Sequence, residues 1–312
     1  MKRQLLFVAV LVLSLAGCAT RVPIQRLVPA VHDMGAYRFL EVRPTLPFSH
    51  SILERPVGSV ADLSGQSPVV VYTGYQAFDE RQLADHIGEA LVRELSANGY
   101  FSLIEDQQAG ATGLLQTRVS RMGLAEYVYA RKVADEVYQY HLRQQIDLAI
   151  SFEVIDAKSR QVYMTDSVHA RDERTFALDP QEDVVVFAPW LLPWYQDLAD
   201  TLVDRIVASL APRRVTTHVS LMTDTSAGAD FDAALEAASD GEHARAYHLF
   251  LALAEGGQES ALYNAALLAE SLGRRDEAML LMGRLAGHER AQKQLQRMER
   301  YQQEESRARA QY

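Results

Sequence analysis

The chain has 312 residues, 48% hydrophobic and 23% charged, with a formal net charge of −10 and one cysteine. These fractions are those of soluble globular proteins and exclude a wholly disordered, collagen-like or polytopic membrane chain; the length suits two domains of roughly 150 residues. The acidic balance argues against bulk nucleic-acid binding, which needs a basic stripe to displace counterions, and a lone thiol forms neither an internal disulfide nor a thiolate metal site.

Lys2 and Arg3 open the chain, and residues 5–15 are apolar apart from Ser14. A run of about 11 residues is roughly 16 Å of helix, too short for a hydrocarbon core of about 30 Å. It fits the apolar region of a secretory signal. Leu15, Ala16, Gly17 and Cys18 follow, and this run resembles the lipobox of bacterial lipoproteins. The resemblance implies that residues 1–17 are removed. It also implies a diacylglycerol on the Cys18 sulfur and an acylated new amino terminus, with no other cofactor. Ala19, in place of Asp, implies passage to the outer membrane, the body facing the periplasm or displayed at the surface. Loss of Lys2 and Arg3 takes the net charge from −10 to −12, so attachment to outer-membrane lipid falls to the acyl chains.

Residues 18–67 read as a tether. Pro23, Pro29, Pro44, Pro47 and Pro56 fall here, which rules out a long helix or a central strand. Fully extended, such a segment reaches on the order of 100 Å. An ordered arm wrapped on a domain is the other reading.

Residues 68–212 read as a domain. Residues 68–72 form a buried-strand candidate rich in valine. Asp79 with Gln82 is an N-cap pattern, and Leu83, Ile87, Leu91 and Leu95 mark one helix face. Gly99 is the expected left-handed cap. Strands are expected over 100–105 and 113–122. Ile146, Leu148, Ile150, Phe152 and Val154 alternate with polar residues, as in a half-exposed antiparallel strand. Residues 157–160 turn, and 161–171 return as its partner. Leu198, Leu202, Ile206 and Leu210 mark a second helix, stopped by Pro212. The order β-α-β-β-β-β-α predicts an α+β fold, a mixed or antiparallel sheet with helices on one face.

Residues 213–229, rich in Thr and Ser, read as a linker. Residues 230–312 read as a small all-α domain of helical repeats. Gly241, Ala246 and Phe250 align with Gly273, Ala278 and Met282 at a spacing of 32. The spacing and the small residues resemble tetratricopeptide or Sel1-like repeats, with residues 288–305 as a capping helix. A plain helical bundle is the alternative.

For chemistry the sequence offers little. It lacks the nucleophile elbow, the phosphate loop, the zinc-protease helix and the dinucleotide glycine pattern. His243 and His248 are five apart and misaligned for one helix face, so no metal site and no catalytic residue are expected. Residues 184–195 hold both tryptophans and two prolines. Phe187, Trp190, Leu191, Trp194 and Tyr195 are candidates to dock on a partner, or to fold back over the sheet. Residues 230–286 carry ten acids against four arginines, a second surface that suits a basic partner segment.

The lipobox, the tether and the β/α order together resemble the group of envelope lipoproteins that contains the CsgG, LpoB, FlgO and TolB amino-terminal families. The likeness rests on Val69–Val71, on the helix ending at Leu95, on 99–105, and on the hairpin from Phe152 to Val162. It implies a non-enzymatic outer-membrane lipoprotein, a scaffold or assembly factor that contacts other envelope proteins. An oligomeric secretion or export component and an activator of a peptidoglycan synthase are the alternatives, and the former implies a homo-oligomer. No lipid-facing pair of alternating hairpins is legible, which argues against a pore.

Overall fold

The computed structural model describes residues 20–48, 53–54, 70–72, 77–104, 112–135, 137–178 and 188–312. The chain divides into a sheet unit, Ala30–Pro212 with Gln311–Tyr312, and a helical unit, Met1–Pro29 with Arg213–Ala310. The architecture is α+β, as expected.

In the sheet unit, β6 (Gly113–Ala134) is the spine. Along one side it pairs antiparallel with β7 (Val137–Asp156), which pairs antiparallel with β8 (Val162–Leu178). On its other side lie β2 (Phe39–Val42), parallel, and β4 (Val70–Tyr72), antiparallel. The short strands β5 (Ser102–Ile104) and β3 (Leu53–Glu54) lie outside β2 and β4. The period-2 pattern of β7 buries Leu142, Ile146, Leu148, Ile150, Phe152 and Val154 on one face. Helices α1 (Ala77–Asn98) and α2 (Ala188–Leu210) cover that face, and their predicted stripes enter the same core. Gly99 takes the left-handed conformation at φ +71°.

The three long strands outrun their predicted ends. Only Asp135 and Glu136 separate β6 from β7, and β8 continues to Leu178. The charged residues Arg171–Arg174 interrupt the apolar pattern but are compatible with an edge strand. Charge there blocks pairing with another chain.

Two expected connectors are structured. The segment read as a linker carries β9 (Arg213–Ser220), and the segment read as a tether carries β1 (Arg21–Val28), a 3₁₀ turn (Gly35–Tyr37) and β2. β1 and β9 pair antiparallel from Arg21↔Ser220 to Val28↔Arg213. Among the described residues β1 has a strand partner on one side, so the missing donor of Pro23 can face away from the ladder. Val22, Ile24 and Val219 are buried in the core of the helical unit.

That unit continues with α3 (Ala229–Ser239), α4 (His243–Glu255), α5 (Glu259–Ser271), α6 (Arg275–Gly283) and α7 (Glu289–Ala310). α3/α4 and α5/α6 are equivalent hairpins. Gly241 and Gly273 sit at their turns with φ +82° and +78°. At both turns the glycine N–H donates three residues back, to Ala238 or Glu270. The next N–H donates five back, to Ala237 or Ala269. These are paired Schellman motifs, for which glycine supplies the left-handed residue at least cost. Ala246, Ala278, Phe250 and Met282 are all fully buried at matching places.

Candidate functional site

The sheet face turned away from α1 and α2 is polar. The strand register lays its side chains in rows across β6, β7 and β8: Arg118, Ser151 and Ser167; then Arg121, Ala149 and His169; then Gly123, Asp147 and Arg171; then Ala125, Gln145 and Glu173; then Tyr127, Arg143 and Thr175. A bulge between Val119 and Arg121 leaves Ser120 as the extra residue, so that Ser120 and Arg121 are both exposed. Bulges re-aim side chains in this way.

Below the bulge lies a depression of about 500 Å³, lined by Arg121, Asp147, Ala149, His169 and Arg171. Ala149 and Ala170 are its small lining residues. A β-carbon at position 123 would lie 3.1 Å from both carboxylate oxygens of Asp147, so glycine is what lets that carboxylate lie across β6. Arg121 Nε meets Asp147 Oδ1 at 2.7 Å, yet the arginine side chain stays 66% exposed. With its amide oxygen turned toward Arg171, Gln145 accepts from Nε at 3.0 Å and Nη1 at 3.2 Å. Farther along the face, Arg143 pairs with Glu173 at 3.3 Å and lies over the Tyr127 ring. Tyr129 stacks on His141, with ring centroids 5.2 Å apart.

The predicted docking segment is described in part, and its described large side chains point inward. Cys18 and Phe187 lie outside the described residues, as does the side chain of Trp190. Leu191, Trp194 and Tyr195 are on the buried face of α2. Trp194 Nε1 donates to Asp172 at 2.6 Å beneath the Arg174 guanidinium, and the Tyr195 hydroxyl donates to the Gly123 carbonyl. These three residues are therefore core, a correction to the docking reading. Pro193 misled because it normally ends a helix; here it is the sixth residue of α2 and lies inside it, at the loss of one backbone donor.

The helical unit uses its inner surface on its own chain. Asn264 of α5 is fully buried, and its amide grips the Met222 backbone. Oδ1 accepts from Met222 N–H at 2.7 Å and Nδ2 donates to Met222 O at 2.9 Å. Arg275 donates to the Gln25 carbonyl of β1 at 3.0 Å. Arg26 pairs with Glu304 over the Tyr301 ring, and Arg297 makes a two-point contact with the buried Glu270. A cleft of about 630 Å³ beside Met222 is lined by Asp224, Ser260, Tyr263, His288 and Arg290, among others. The Asp224 carboxyl is held below the usual carboxylate range, first by the Ser226 hydroxyl and then by that of Ser260. His288 pairs with Glu259 at 2.9 Å. Among the described residues no three His, Cys, Asp or Glu side chains are placed to hold a metal.

No protein-family model and no curated protein matches this chain. Solved structures do align. A Xanthomonas campestris protein of family-model DUF330 aligns at 12% identity over 58% of this chain and 85% of its own, with a TM-score of 0.30. A PelC dodecamer from Paraburkholderia phytofirmans aligns at 12% identity over 61% and 97%, with a TM-score of 0.26. A minor lipoprotein from Acinetobacter baumannii aligns at 15% identity over 55% and 91%, with a TM-score of 0.24. Likenesses of this size assign no family.

Sequence reasoning missed the outer face for a definite reason. Arg121, Asp147, His169 and Arg171 meet only through the register of three strands. The available signals were Gly123 inside a strand pattern, which marks close approach, and the polar half of the β7 alternation. Among the described residues no helix is long and apolar enough to cross a membrane.

Proposed function

We propose that this chain is a non-enzymatic lipoprotein of the outer membrane, anchored by an acylated Cys18, that serves as a scaffold or assembly factor for other envelope proteins. In this reading the helical unit is a pair of tetratricopeptide- or Sel1-like hairpins closed by α7, with no cofactor beyond the lipid. One observation carries the proposal. β1 begins at Arg21, so only Ala19 and Thr20 separate Cys18 from a strand sewn into the helical unit. Thr20 is itself tied, its carbonyl accepting from Leu221 N–H at 2.8 Å. Three residues span at most about 10 Å. An anchor at Cys18 therefore holds the helical unit close against the bilayer and leaves no long arm to reach through the cell wall.

Two variants test this. Cys18→Ala should move the protein from the membrane fraction to the soluble fraction and abolish incorporation of labelled fatty acid. A variant lengthened by a flexible Gly/Ser stretch between Thr20 and Arg21 should stay in the membrane fraction but lose close crosslinking between the helical unit and lipid head groups. Retention of Cys18→Ala in the membrane overturns the anchor. Unchanged crosslinking in the lengthened variant overturns the membrane-apposed scaffold.

A further inference from the structure

We infer that the depression on the outer sheet face is a binding site for a phosphate oxyanion, built by Arg121 and Arg171 around Ala149. The inference stands on the sheet unit alone and does not depend on the anchor.

The charges show an excess. Arg121 and Arg171 flank the depression with one carboxylate, Asp147, between them. Arg171 meets the neutral amide oxygen of Gln145. Arg118, one row beyond, has no ion pair among the described residues, and its nearest acid by register is Glu153 of the following row. By contrast Arg143 has its own acid, Glu173. The depression thus keeps at least one positive charge in a chain whose net charge is −10.

The geometry leaves donors available. Asp147 takes Arg121 through Nε, so the two terminal nitrogens of a side chain that is two-thirds exposed remain on the solvent side. A guanidinium offers paired donors that match two oxygens of a phosphate, which a lysine does not. The small residues matter as much. Ala149 adds little bulk beside Arg121, Gly123 gives the Asp147 carboxylate room to lie across β6, and the bulge at Ser120 turns Arg121 onto this face. Asp147, seated across Gly123, orients Arg121 and is a positioning residue.

The shared chemistry is a phosphate group, free or on a lipid head group, and two probes separate those sources. Inorganic phosphate and soluble dihexanoyl phosphatidylglycerol, kept below its micelle threshold, are titrated calorimetrically into the full-length protein in mild detergent at low ionic strength. Salt is kept low because it screens an exposed site. The wild type should bind at least one probe. The Arg121→Gln/Arg171→Gln variant should bind at least about tenfold more weakly, the size of one lost charge-assisted hydrogen bond. Arg121→Lys/Arg171→Lys, which keeps the charge, should also weaken binding, because the paired donors are gone. Arg160→Gln, in the exposed turn before β8, should bind like the wild type. Binding of phosphate alone assigns a free anion, and binding of the lipid alone assigns a head group. Absence of binding of both probes to the wild type overturns the site. So does equal binding by the glutamine double variant while its melting curve matches the wild type.

Discussion

Both units build an antiparallel ladder and use it in opposite ways. In the helical unit the two-stranded ribbon β1–β9 is gripped by helices, and the polar groups nearby are turned inward. Asn264 holds a backbone, Arg275 holds another, and Arg297 and Glu270 hold each other. In the sheet unit, β6 and β7 bury one face under two helices with β8 partly covered, and among the described residues the other face carries exposed arginines. The difference separates polar groups spent on packing from polar groups left in solvent. In the helical unit the inner polar groups hold the unit's own chain. The open chemistry lies on a sheet that reads as scaffold.

Five substitutions probe this contrast, and the two tryptophans help, since Trp190 and Trp194 both belong to the sheet unit. Tryptophan fluorescence therefore follows that unit, while far-ultraviolet circular dichroism weights the helices. The largest effect is expected from Trp194→Ala, which empties a core site and removes the bond to Asp172, at a cost of about 3–5 kcal/mol in denaturant unfolding. A loss under about 1 kcal/mol would return Trp194 to the surface and break the contrast.

Asn264→Ala comes next. It strands the Met222 N–H and C=O in the helical unit and should cost about 2 kcal/mol, with the tryptophan-detected transition unmoved. Gly241→Ala and Gly273→Ala should each cost about 1 kcal/mol, because each places a β-carbon at positive φ. The two losses should agree closely if the hairpins are equivalent, and a large disparity would argue for an ordinary bundle. The smallest effect belongs to Arg121→Gln. An exposed ion pair contributes little, so unfolding should shift by less than about 0.5 kcal/mol. A large loss there would make the outer face structural.

Much of this was legible before any coordinates, and the rest was hidden for physical reasons. The buried half of β7 could be read because a strand with one wet face repeats every two residues. The stripes of α1 and α2 and the paired glycines at 241 and 273 are local patterns of the same kind. β1 and β9 escaped because their pairing is long-range. Neither Arg21–Val28 nor Arg213–Ser220 has an apolar run, and a proline in one and threonines in the other look like connectors. The start of α2 escaped because Pro189 and Pro193 punctuate it. The arginine face could not be read locally, since its residues come from three strands.

The register Val28↔Arg213 has one more consequence. The helical unit is discontinuous in sequence, and the sheet unit is a domain spliced into what would otherwise be a hairpin turn. Such splices are tolerated where the host's two chain ends already lie side by side. The entropy of closing so long a loop grows only logarithmically with its length, so the arrangement costs stability little. It does fix an order of assembly. β1 emerges before the sheet unit, and β9, its strand partner among the described residues, is made only after that unit. The helical unit therefore closes only once its carboxy-terminal part has been made. Replacing residues 29–212 by an Asn-Gly turn should restore the hairpin directly, and would show whether the helical unit is the host that its topology describes.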